Sequence, residues 1–238
     1  LVWHTHSLYK KLLTSMKIIK SLCTFEWHVL PILAKGLIGR GFLALLRRQR
    51  EDRWLERWLP LIQDRVMGLA VLELGCGNGR DTAIIHRAGL KVKAIDISSA
   101  MIKRARVRTP SAVFFVQDLR DPFPIDRSGV VISSLSLHYF SWDETLDIIR
   151  RIRAVLRPGG VLLCRLNSTK DVNFGAKGHA KIDNNFYLVH GTPKRFFDRP
   201  SILKAFSGWK VLHIEEKETY RFVLPKTIWE VILEVEVN

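Results

Sequence analysis

The stretch Val71 to Arg80, VLELGCGNGR, constrains this chain more than any other. An apolar run reads as a buried strand. It breaks into Gly75, Gly77 and Gly79, a turn whose backbone must come close to something. Asn78 to Arg87 reads as the helix that follows, ended by Gly89. A strand, a glycine turn and a helix N-terminus together make a nucleotide-type binding edge. A dinucleotide fingerprint would need its third glycine at position 80, where Arg80 stands. The spacing is GxGxG, preceded by Glu73.

Alternation continues downstream. Ala70 to Leu74 reads as strand one and Lys91 to Ile97 as strand two. Ser98 to Arg106 is a helix with Ser98 or Ser99 as its N-cap. Val113 to Val116 is strand three, and Gly129 to Leu135 strand four. Trp142 to Leu156 is a long helix with Ile148, Ile149, Ile152 and Val155 facing inward, stopped by Arg157-Pro158-Gly159-Gly160. Val161 to Leu166 is strand five. Such alternation implies right-handed crossovers and a parallel sheet with helices on both faces. Asn167 to His190 breaks the rhythm and reads as a long polar loop. Thr192 to Phe206 reads as a helix, broken at Pro200. Trp209 to Glu218 and Ile228 to Val237 read as the last strands, the final one alternating apolar and acidic residues as a half-exposed edge-region strand does. Upstream, Leu55, Trp58, Leu59 and Ile62 recur at helical spacing, so Gln49 to Leu61 is expected to be an amphipathic helix, bent or restarted at Pro60.

A chain of 238 residues accommodates one α/β domain with an added element, or at most two small domains. With 47% hydrophobic and 26% charged residues it is globular in composition. Cys23, Cys76 and Cys164 lack CxxC spacing, which argues against a zinc site or a disulfide framework and suits a reducing, cytoplasmic compartment. The net charge is +15, but residues 1–50 hold nine Lys/Arg against Glu26 alone. A moderately basic domain, residues 47–238, thus follows a basic, apolar extension of uncertain order, residues 1–46. Residues 30–46 contain Pro31, Lys35, Gly36, Gly39, Arg40 and Gly41, so no transmembrane helix is expected there. The chain begins with Leu, which points to a fragment, a non-standard start or a reading frame extended upstream of Met16.

Taken in order, these positions resemble the class I S-adenosylmethionine (SAM)-dependent methyltransferases over about residues 50–238, most closely the small-molecule branch of type 11/25 and tellurite-resistance enzymes. Motif I is Glu73-Leu74-Gly75-Cys76-Gly77-Asn78-Gly79. Asp96 stands at the end of strand two, Gln117-Asp118-Leu119 follows strand three, and Ser134-Leu135-Ser136-Leu137-His138-Tyr139 occupies the motif IV region. Arg157-Pro158-Gly159-Gly160 matches the turn before strand five. The resemblance implies a Rossmann-like, doubly wound, mostly parallel seven-stranded sheet with an antiparallel last strand. It also implies methyl transfer from SAM, releasing S-adenosylhomocysteine.

It implies roles for particular residues too. Gly75, Cys76, Gly77 and Gly79 lie under the methionine part and ribose. Glu73 orients the turn or reaches the methionine amine. Asp96 accepts from the ribose hydroxyls, where a carboxylate is the stronger acceptor. Ile97 covers the adenine, Asp118 accepts from its amino group, and the Leu119 amide reads a ring nitrogen. Ser134 and Leu135 border the transferred methyl. His138 and Tyr139 are the candidate catalytic residues: His138 for acid–base work or as a pocket wall, Tyr139 as an aromatic wall for the sulfonium. His179, His190, Arg195, Phe196 and Phe197 mark the acceptor side, with the insert 167–190. No metal-ligating constellation stands out. The acceptor is expected to be a small molecule. RNA or protein methylation, and a non-catalytic SAM-binding module, are the alternatives; nucleic acid is the less favoured partner because no NPPY or DPPY tetrapeptide occupies the motif IV region.

Overall fold

Seven strands form one sheet in the order β3-β2-β1-β4-β5-β10-β9. This is a computed structural model, and it describes residues 52–222 and 224–236; the expectations for residues 1–46 lie outside the described residues. The strands are β1 Val71–Leu74, β2 Val92–Asp96, β3 Val113–Val116, β4 Ser128–Ser134, β5 Leu156–Asn167, β9 Lys210–Thr219 and β10 Lys226–Glu234. β1 pairs parallel with β2 and β4, β2 with β3, and β4 with β5. β10 runs antiparallel to both β5 and β9. The expected doubly wound sheet with an antiparallel last strand is therefore present.

Side-chain alternation builds two cores. Leu72 and Leu74 of β1 face one layer, with Ile148, Ile149 and Ile152 of the helix α4, Trp142–Val155. Val71 faces the other, with Ile62 of α1 (Leu59–Val66), Ile85 of α2 (Arg80–Arg87) and Ile102 of α3 (Ser99–Arg108). Each fully buried aliphatic side chain contributes about 1.5–3 kcal/mol relative to exposure. α4 begins with a reciprocal capping box between Ser141 and Glu144, and α3 is capped by Ser98, whose Oγ accepts from the Met101 amide at 3.3 Å.

Six expectations need correction. Of the expected Gln49–Leu61 helix, the described residues before Leu59 form only a 3-10 turn, Glu56–Trp58; α1 then starts afresh at Leu59 and Pro60, the restart the proline implied, because a missing N–H costs nothing in a first turn. α2 starts at Arg80, not Asn78, since the left-handed Gly79 (φ 74°) is its N-cap. Arg157 to Gly160 is not a stop before β5 but its first segment: the Gly159 amide donates to Val235 O and the Val235 amide to Gly160 O, both at 2.9 Å. The loop 167–190 carries β6 (Ala180–Asp183) and β7 (Phe186–Val189), and the expected Thr192–Phe206 helix splits into β8 (Thr192–Arg195) and α5 (Arg199–Ala205). β6, β7 and β8 form a separate antiparallel sheet. Finally, β10 is no edge strand. Its Glu230 and Glu234 are buried between β5 and β9 and are compensated by ion pairs, Glu230 with Lys217 at 2.6 Å and with Arg57, Glu234 with Arg65 at 2.7 Å and Lys210 at 2.9 Å.

Candidate active site

The strand order reverses direction between β1 and β4, the place where open α/β sheets leave a crevice at their carboxyl ends. Motif I ends β1 there and motif IV ends β4. The two turns touch. Gly75 (φ 72°) donates its amide to Ile95 O at 2.8 Å, and a Cβ built on it would overlap the Cβ of Ser136. The Ser136 hydroxyl in turn donates to Leu74 O at 2.7 Å and lies 2.7 Å from the Ser133 hydroxyl. Leu135 adopts φ 58°, a left-handed conformation that costs a non-glycine residue about 1–2 kcal/mol. Its amide donates to Arg165 O at 2.9 Å, which holds the bend that carries Ser136 under β1. Gly75→Ala is expected to lose about 2–4 kcal/mol of stability, from backbone strain plus overpacking, and to displace motif IV; denaturant unfolding together with SAM affinity checks this.

Asp96 is fixed from both sides. Gly77 N–H donates to its Oδ2 and Ser98 N–H to its Oδ1, each at 2.8 Å. The carboxylate is therefore oriented before any ligand arrives, with a second lone pair left on each oxygen. Beside it Ile97 stands 65% exposed, an aliphatic face without protein cover. At Gly77 a Cβ would meet no atom within 4 Å, so the turn opens onto free space. Gly79 differs: its Cβ would come within 2.9 Å of Ala105, so it serves packing of α3 against the turn.

Glu73 and Cys76 do not face that opening as simple ligands. Glu73 is buried, and its carboxylate accepts the Thr82 hydroxyl of α2. Burial first, then the negative charge of Asp81, raises its pKa from 4.5 to about 8. It ties α2 to β1. Burial likewise pushes the Cys76 thiol up, so it remains a protonated packing group. Asp118 is engaged by Arg120, whose Nη2 donates to Oδ2 at 2.7 Å and Nε to Oδ1 at 3.1 Å; these bonds hold its carboxyl below the usual range. Leu119 is buried and its carbonyl accepts from Arg151 at 2.8 Å.

Sequence reading missed a cluster on the same face as Glu73. Arg165 of β5 is fully buried. Its Nε and Nη2 donate to Ser134 Oγ at 3.0 and 2.8 Å, its Nη1 to Asp52 at 2.5 Å, and its guanidinium lies 4.4 Å from the Trp54 ring centre. The Trp54 indole donates to Asp81 at 3.1 Å. Residues 52–58 thus strap the carboxyl end of the sheet beside motif IV. The available signal was an arginine inside the apolar run VLLCRLN. Arg165→Met alone is expected to cost about 3–5 kcal/mol by stranding Asp52, while Asp52→Asn with Arg165→Met recovers most of it; paired denaturant melts check this.

On the other face His138 and Tyr139 lie in the 3-10 turn Leu137–Tyr139. Their rings are 4.1 Å apart, His138 buried and Tyr139 half exposed. Burial first, then the charges of Lys226 and Lys194, drives the His138 pKa well below 6.5, so the ring is neutral, and its Nδ1 makes no hydrogen bond. Of the other acceptor-side candidates, Phe196 and Phe197 are buried in packing, and His179 and His190 meet each other at 4.5 Å. Arg195 bolts β8 to the residues after motif IV: Nε donates to Phe140 O at 3.3 Å, Nη1 to Asn184 O at 3.2 Å, and the guanidinium lies over Phe186 and Trp142. Among the described residues no group of three or more His, Cys, Asp or Glu is placed to hold a metal ion. None of their helices is long and apolar enough to cross a membrane.

Residues 71–160 match the family model of the methyltransferase domain. Over that stretch, which holds both glycine-rich motif I and the motif IV turn, the chain is similar to methyltransferase domains. An uncharacterized methyltransferase of Synechocystis sp. is 32% identical to this chain over 129 residues, 53% of this chain and 58% of that protein. A trans-aconitate 2-methyltransferase of Paracidovorax citrulli is 36% identical over 100 residues, 40% of this chain and 38% of that protein. The chain therefore spans about half or less of the length of the curated relatives it matches. A SAM-dependent methyltransferase structure from Methanosarcina mazei superposes with a TM-score of 0.61 at 17% identity, covering 75% of this chain and 98% of that one. Magnesium protoporphyrin IX methyltransferase of Synechocystis, solved with bound SAM, gives 0.58 at 16% identity, covering 84% and 86%. These likenesses show the fold. The family's cofactor is SAM, and the pre-oriented Asp96, the uncovered Ile97 and the open glycine turn fit its ribose, adenine and chain.

Proposed function

We propose that this chain transfers a methyl group from SAM to a small-molecule acceptor by in-line displacement. The observation that carries the reading is the contact of Gly75 with Ser136, which sets the cofactor turn and the motif IV turn side by side at the strand-order reversal. SAM supplies a methyl already activated by its positive sulfur. The chain's own task is alignment and exclusion of water. Asp96 fixes the ribose, the Gly75 turn sets the depth of the methionine chain, and the half-exposed Tyr139 offers a ring face to the sulfonium. His138, neutral and buried, shapes the acceptor wall.

The names of two relatives, a trans-aconitate 2-methyltransferase and a malonyl-[acyl-carrier protein] O-methyltransferase, support a small or carrier-bound acceptor. The test is a methyl-labelled SAM assay over a whole-cell extract separated by size. Label in the small-molecule fraction supports the reading. Label confined to RNA or protein fractions, with salt-sensitive binding in the RNA case, would replace it with the macromolecular alternative.

A further inference from the structure

Charge is spread unevenly over the helices that flank the sheet. Residues 82–117 hold seven Lys/Arg against Asp96 alone. Six of the seven, Arg87, Lys91, Lys103, Arg104, Arg106 and Arg108, are exposed. Asp96 does not balance them. Its two oxygens accept the Gly77 and Ser98 amides, at the far end of β2 from Lys91. Elsewhere cations meet carboxylates, as Arg57, Arg65, Arg120 and Arg165 do. Among the described residues no ion pair includes any of the exposed six. Arg87, Arg106 and Arg108 bond only to backbone oxygens, those of Ala83 at 3.1 Å and of Phe114 and Asn78 at 3.0 Å. The side chains of Lys91, Lys103 and Arg104 bond to no described residue. These cations share one surface. Ile85 of α2 and Ile102 and Ala105 of α3 enter the same core, Ala105 lies against Gly79 at the head of α2, and the His86 ring meets the Ser111 hydroxyl at 2.6 Å where the two helices end. Among them stands Val107, 83% exposed, one helical turn from Lys103 and Arg104.

We propose that this face of α2 and α3 docks the protein on an anionic phospholipid bilayer. Exposed like charges without counter-charges repel one another, and an anionic surface turns that repulsion into attraction. Each Lys or Arg brought to such a surface strengthens binding by about five-fold, and the attraction fades within a Debye length, about 8 Å at physiological salt. Three observations favour a bilayer over nucleic acid. An exposed valine among the cations gains by leaving water for the lipid boundary. No aromatic side chain is exposed between residues 82 and 117, so nothing there offers a platform for stacking bases. Residues 1–50, apolar and with nine Lys/Arg against Glu26 alone, have the composition of an interfacial segment. Binding to a lipid surface grows with buried apolar area and with attraction to anionic headgroups together, and this chain carries both. The inference is independent of the methyl acceptor, since it concerns where the protein works and not what it methylates.

The test uses the full chain and co-sedimentation with vesicles of phosphatidylcholine, alone or mixed with phosphatidylglycerol, at low and high salt. Lys103→Gln with Arg104→Gln removes two cations that bond to nothing in the fold, and denaturant melts confirm that stability is unchanged. Arg87→Gln with Lys91→Gln repeats the test from α2 and the start of β2, and stands in should the first pair fail to fold. Expected are binding to the mixed vesicles and not to phosphatidylcholine alone, its loss at high salt, and a loss of about 10- to 30-fold in affinity for each pair of substitutions, with SAM affinity unchanged. No binding to the mixed vesicles at low salt overturns the proposal. Vesicle binding that both pairs leave unchanged also overturns it, and assigns the attraction to another part of the chain. Binding to a single-stranded RNA that is tighter than to the vesicles, and is lost in the same variants, replaces the bilayer with nucleic acid.

Discussion

Asp96→Ala is expected to weaken SAM binding by about 100-fold or more. Two charge-assisted hydrogen bonds to ribose hydroxyls are each worth about 1.5–3 kcal/mol, and about 1.4 kcal/mol is a factor of ten in affinity. The variant also removes the acceptor from the Gly77 and Ser98 amides, so the glycine turn loses its anchor. Asp96→Asn separates the two effects. The amide keeps one oxygen acceptor but its NH2 opposes an N–H, so the turn is strained as well as uncharged. Calorimetry should rank wild type, Asn and Ala in that order, and equal affinities would sink the assignment of the ribose to Asp96.

Glu73→Gln carries the second large effect, on stability. The folded carboxyl titrates near 8 and its ordinary value is 4.5. Between those values the folded chain holds a proton that the unfolded chain has lost, so stability falls as pH rises across the window, and the full cost is present above about 8. Glutamine removes the titration and still offers an oxygen to the Thr82 hydroxyl. The variant should match wild type near pH 4.5 and exceed it by on the order of 3–5 kcal/mol near pH 9. Denaturant melts at the two pH values measure this. Parallel stability–pH curves for both proteins would show that Glu73 is already ionised in the fold.

The parallel half of the sheet was legible because β1 to β4 are apolar runs punctuated by glycine, serine and charged turns, and those signals are local. What failed depended on distant pairing. Arg157-Pro158-Gly159-Gly160 has the composition of a helix stop, and only its hydrogen bonds to Val235 make it strand. Thr192 to Arg195 has no marked period of its own and becomes β8 by pairing with β7. The acidic alternation of β10 reads as exposure, yet Arg65, Lys210 and Lys217 compensate Glu230 and Glu234 inside the sheet. In the site, the glycines and Asp96 were readable from spacing. The Asp52–Arg165 pair was not, because its members lie 113 residues apart. Nor was the neutral state of His138, which is set by burial and by lysines from two later strands.

A crystal structure with S-adenosylhomocysteine tests the account most directly. The geometry predicts the ribose hydroxyls on the Asp96 carboxylate, the adenine against Ile97, and the sulfur turned toward Leu135–His138. A ligand bound away from Asp96, or one whose sulfur points away from the motif IV turn, would contradict it.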